Sequence, residues 1–133
     1  MGRIIEKIKV VNHIDEALAR HKSIASDQKN RHIETEVLID RSVKFLSLQK
    51  SLIEKLQLVP EQRHWTSDRT IYSPVTVYLR DRFATSSVVA IADDAPNLLG
   101  RIPLLAMDWV VDEKNETIIG NPKHDGKWML EEY

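Results

Sequence analysis

Residues 37–42 read VLIDRS. Three apolar residues run straight into an aspartate, and an arginine and a serine follow. The stretch that leads to the charge, RHIETEVLI (31–39), alternates polar with apolar and then becomes wholly apolar. Alternation predicts a strand with one wet face, and the apolar end predicts burial on both faces. A carboxylate at the end of such a strand is costly unless it is paired or used. Read from the residues alone, Asp40 either caps a turn at a strand end or serves a site.

Outward from that strand, VKFLSL (43–48) predicts another short strand. In QKSLIEKLQL (49–58), Leu52, Ile53 and Leu56 are spaced for one helical face, and Pro60 is expected to end that helix. Upstream, RIIEKIKVV (3–11) is rich in β-branched residues and predicts a strand. IDEALARH (14–21) predicts one or two helical turns, with Asn12 or Asp15 near the start, and KSIASDQKN (22–30) a polar loop. Downstream, SPVTVYLRD (73–81) sets Val75, Val77 and Leu79 on one face against Thr76, Tyr78 and Arg80 on the other. With RFATSSVVAIA (82–92) it predicts a hairpin that reverses at Arg80–Arg82. DDAPN (93–97) is a turn cluster. Pro103 suits a first helical position. WVVD (109–112) and TIIG (117–120) read as strands joined by the polar turn 113–116. The sum is about seven strands and one clear helix, a mainly β chain with a helix packed on it.

The totals exclude several classes. The chain has 133 residues, 42% apolar and 29% charged, and a formal net charge of −1. That length predicts one domain, 1–133, with a real core. The charge gives no reason to expect nucleic acid or an anionic membrane as partner. No cysteine is present, which removes disulfides, thiol catalysis and zinc–thiolate sites and fits a reducing cytoplasm. The N-terminal run MGRIIEKIKVV carries charges among its apolar residues, so it reads neither as a signal segment nor as a membrane span.

Most chemistry-bearing residues lie in no recognisable pattern. Histidines 13, 21, 32, 64 and 124 show no HxxxH or HxH spacing, so no metal site is expected. No serine sits in a G-x-S-x-G context, and the four glycines make no phosphate loop. No cofactor is expected. RHW (63–65) reads either as a small basic–aromatic patch or, as the better fit, as the entry to a hairpin.

Asp40 differs because a second apolar segment ending in glycine, NLLGR (97–101), lies far downstream. The chain resembles the single-domain, retropepsin-like aspartic proteases of prokaryotes, over most of its length. EVLIDRSVKFLSLQKSLIEKLQLVP (36–60) resembles that family's aspartate strand and turn, its next strand and its helix. NLLGRIPLLAMDWVVD (97–112) resembles the hydrophobic-hydrophobic-Gly segment, short helix and strand beyond, and is the most specific match. The resemblance implies a retropepsin-like acid-protease β-barrel, with one helix after the Asp40 turn and one short helix in the C-terminal half. It also implies a homodimer, because the chemistry needs two carboxylates that share a proton and each chain brings one. Asp40 matches the catalytic aspartate. Substrate, a peptide or protein, would lie between Trp65, Ser67 and Asp68 of the flap region and the Leu99–Gly100 segment.

Three departures bear on that activity. The family triplet is Asp-Thr/Ser-Gly, and here it is Asp40-Arg41-Ser42. Arg41 cannot supply the hydroxyl that bonds across the dimer axis; it would meet its symmetry mate or pair with a carboxylate. Ser42 brings a Cβ to a position where glycine eases the turn. The flap region HWTSDRTIYSP (64–74) is short and lacks glycine, so it would exclude water poorly. Two functions follow as expectations: an aspartic endopeptidase with paired Asp40, or a degenerate, non-catalytic binding or scaffold dimer. In either, the N-terminal strand or the tail Lys127–Tyr133 is the candidate interface, and the apolar WML (128–130) could instead complete another chain's sheet.

Overall fold

The strand that ends at Asp40 lies in the wall of a closed barrel. The computed structural model describes residues 3–20, 31–61 and 70–128. The elements in chain order are β1 (Ile5–Asn12), α1 (His13–Arg20), β2 (His32–Ile39), β3 (Leu46–Gln49), α2 (Lys50–Leu56), β4 (Pro60–Glu61), β5 (Ile71–Leu79), β6 (Arg82–Ile91), β7 (Leu98–Leu99), α3 (Arg101–Ala106), β8 (Trp109–Asp112) and β9 (Thr117–Gly120), with a 3-10 turn at Pro122–His124. The sheet order β1-β2-β7-β3-β6-β5, closed by β1 pairing with β5, makes a six-strand barrel. β4 adds to the outer edge of β5, and β8–β9 form a separate hairpin.

Alternation places the core. Val10 of β1, Leu46 and Leu48 of β3, Val75, Val77 and Leu79 of β5, and Val88 of β6 all point inward and are fully buried. The face predicted for β5 is therefore the one the barrel uses. The expected hairpin forms, with Leu79 opposite Arg82 and Arg80 in the left-handed region at φ 57°.

Four local readings are corrected. Nine strands occur among the described residues, where about seven were expected, because β4 and β7 are two residues long and show no periodicity. α2 ends at Leu56, ahead of Pro60. Gln57 turns left-handed, and the amides of Gln57 and Leu58 reach back to the carbonyls of Glu54 and Ile53, a Schellman-type stop. Pro60 instead opens β4. α3 begins two residues before Pro103. A first helical turn has N–H groups without intrahelical partners. Here those of Arg101 and Ile102 go to the carbonyls of Val43 and Lys44, and Pro103 has none to satisfy. Finally, Leu38 and Ile39 are only half-buried, not covered on both faces.

Beyond the barrel, α1 is capped by Asn12, whose Oδ1 accepts from the Asp15 amide and whose Nδ2 donates to the Leu56 carbonyl. Asp15, buried, is gripped by Arg31 through the backbone amide, Nε and a second guanidinium nitrogen, at 2.9, 2.7 and 2.5 Å. These bonds hold the Asp15 carboxyl below its usual range although burial pushes the other way.

Candidate functional site

β7 is short, but it decides where Asp40 stands. It inserts between β2 and β3, parallel to the first and antiparallel to the second, with Ile39 and Leu46 both opposite Leu99. The chain leaves β2, makes the Asp40–Val43 turn and crosses over the next residue, Gly100. A Cβ at Gly100 would lie 2.4 Å from the Phe45 carbonyl oxygen and 2.7 Å from the Lys44 carbonyl. Gly100 is in extended conformation (φ −87°), so glycine is needed for the close approach and not for its dihedral freedom. The Asp40 amide donates to the Leu99 carbonyl at 3.0 Å, which fixes the aspartate over this crossing.

Within the turn, Asp40 Oδ1 accepts from the Ser42 amide at 2.9 Å and from the Ser42 hydroxyl at 2.5 Å. An aspartate that accepts from the backbone two residues on closes an Asx-type turn. Ser42 is absent from the residues with left-handed φ, so the strain expected from its Cβ does not arise. Arg41 neither pairs with Asp40 nor stays on the turn: it bonds to Glu113, at the start of the turn after β8. Both side chains are largely exposed, where such a pair contributes about 0–1 kcal/mol.

Asp40, Arg41 and Ser42 line an open cleft of about 630 Å³. Its apolar wall is Ile4, Leu38, Ile39, Leu98 and Val111, and Arg3, Glu113 and Glu116 add charge. Leu99 and Gly100, expected to touch substrate, are buried and do not line it; Leu98 is the residue of that run that does. Trp65, Ser67 and Asp68 lie outside the described residues. The strands on either side of them in the sequence, β4 and β5, pair antiparallel, with Pro60 opposite Tyr72 and Glu61 opposite Ile71. Arg3, Glu113 and Glu116 were not foreseeable, because no spacing links the two chain halves that meet here; 113–116 read only as a polar turn.

Two other polar clusters lie outside the cleft. Glu16 accepts from Thr76 and Tyr78, and His13 Nδ1 meets Thr76 at 3.0 Å. Burial, then the bond to Glu16, pushes the Tyr78 hydroxyl up to about 12. Asp108 bonds His124 and Asn121. No group of three or more His, Cys, Asp or Glu side chains that could hold a metal occurs among the described residues, and no helix there is long and apolar enough to cross a membrane.

A six-strand barrel with an aspartate turn crossing over a hydrophobic-hydrophobic-Gly segment defines the retropepsin-like aspartic-protease fold. A solved structure agrees. The chain is similar to a retropepsin-like aspartic protease from Rickettsia conorii, with a TM-score of 0.51 at 16% identity, over 84% of this chain and 86% of that one. It is also aligned with the retroviral protease-like domain of Ddi1 from Leishmania major, with a TM-score of 0.49 at 12% identity, over 86% of each chain. No protein-family model and no curated protein matches the sequence.

Proposed function

We propose that this chain, as a single 1–133 domain of the cytoplasm, forms a homodimer that binds extended peptides in the Asp40 cleft without cleaving them. The observation that carries the reading is the fate of the hydroxyl in the triplet. Ser42 spends its hydroxyl on Asp40 of the same turn, and Arg41, at the position of the hydroxyl residue in the family, reaches out to Glu113. Neither residue has a hydroxyl proton left to donate from one turn to its mate. Peptide hydrolysis by paired aspartates requires both carboxylates to be held around one water and one proton, and misplacement by about 1 Å costs on the order of a hundredfold in rate. Binding tolerates that looseness better than catalysis does. The apolar wall and the two half-buried residues before Asp40 give a peptide or a second protomer something to cover.

One observation favours the peptidase reading. The Asp40 turn is closed by a backbone amide, and its glycine crossing is intact, so the scaffold that would present a catalytic aspartate is preserved. Incubation of the purified protein with a diverse peptide library from pH 3 to 8, followed by mass spectrometry, separates the two. Retained but intact peptides are expected. Cleavage at defined bonds that disappears in Asp40→Asn would transfer the function to the peptidase reading.

A further inference from the structure

We infer that the Asp40 cleft selects peptides carrying a lysine or arginine between apolar residues, with Asp40 Oδ2 reading the cation. This rests on the proposed binding function and names the ligand class. The charged groups that line the cleft are three carboxylates, Asp40, Glu113 and Glu116, against two guanidinium groups, Arg3 and Arg41. Arg41 and Glu113 neutralise each other. What remains is Asp40 and Glu116 against Arg3, an excess of one negative charge in each protomer.

Asp40 is arranged to use that excess. Ser42 donates twice to Oδ1, and Oδ2 has no partner among the described residues. The Ser42 bonds fix the carboxylate's direction while leaving one oxygen for a ligand, and the half-buried setting screens it less than an exposed charge. Ile4, Leu38, Ile39, Leu98 and Val111 around it suit apolar side chains on either side of the cation. In a two-fold dimer the second Asp40 adds its charge to the same region, and a cation between like carboxylates relieves their repulsion. The aspartate thus has a use that needs no shared proton.

The test uses fluorescein-labelled peptides with apolar flanks that differ only in a central lysine, norleucine or glutamate, read by anisotropy at low and high salt. The lysine peptide is expected to bind about tenfold more tightly than the glutamate peptide at low salt, with norleucine between and the gap shrinking as salt rises. Asp40→Asn, which keeps an Oδ1 acceptor for Ser42, is expected to bring the lysine-to-glutamate ratio near one. Glu116→Gln, at an exposed position, is expected to narrow it, and this second variant decides the matter if Asp40→Asn melts early. Equal binding of all three peptides, or a preference untouched in both variants, overturns the inference and leaves peptide binding standing. If no peptide binds at all, or mass spectrometry finds them cut, it is the proposed function itself that fails.

Discussion

At Gly100 a single methyl group would meet two backbone carbonyls at 2.4 and 2.7 Å, and backbone cannot rotate away as a flexible side chain does. Gly100→Ala is therefore expected to cost about 3 kcal/mol or more, at the upper end for overpacked positions. Urea unfolding reads this directly, and an unchanged midpoint would mean the crossing is looser than described. Asp15 is the second residue on which local order depends. Its depressed carboxyl contributes stability that is present above the unfolded value of about 3.9 and is lost as pH falls through the lowered folded value. Asp15→Asn is expected to lose about 1–2 kcal/mol at neutral pH. Its urea midpoint should fall less between pH 5 and 2 than that of the parent chain; parallel curves would contradict the role given to the Arg31 pair. Among single residues, Asp40 and Gly100 were legible in the sequence because an apolar strand ended in each. The direction of Arg41 was not. Its partner lies 72 positions away, and only the barrel brings them together.

Among the elements, the long strands and α2 were legible because period-2 and helical patterns need four or more residues to show. β4 and β7 offered two residues each, and their pairing is set by neighbours rather than by their own side chains. The C-terminal segment shows a different kind of hidden order. Arg82 is 4% exposed and lies 4.0 Å over the ring of Trp109. It donates to the carbonyls of Met107, Asp108 and Gly126. That single side chain ties β6 to the start of β8 and to the turn after β9. Asp108, to which burial alone would give a raised pKa, is instead lowered by its bonds from His124 and Asn121. Arg82→Ala leaves the carbonyls of Met107 and Gly126 without their donor, while that of Asp108 keeps the Asn121 amide; the expected loss is about 2–4 kcal/mol. Hydrogen exchange should then rise first at Asn121, His124, Gly126 and Lys127 while the barrel amides stay protected. Uniform loss of protection would show that Arg82 supports the barrel rather than this segment.

For the whole molecule, the barrel explains why one chain presents one aspartate in an open cleft with a half-buried apolar wall. A second protomer is expected to close it, so sedimentation at micromolar concentration should show a species of twice the chain mass; a monomer at every concentration would leave each Asp40 unpaired. Fold class was readable because the Asp40 strand, the helix after it and the LLG segment stand in order along most of the sequence. The proposed use of the site was not readable, because that proposal rests on where one hydroxyl and one guanidinium point. The central claim is that the triplet, and not the barrel, withholds catalysis. It is tested most directly by measuring peptide hydrolysis side by side in the parent chain and in Arg41→Thr/Ser42→Gly. The account predicts no turnover in the parent and measurable turnover in the double variant. Turnover in the parent chain that Asp40→Asn abolishes would contradict it.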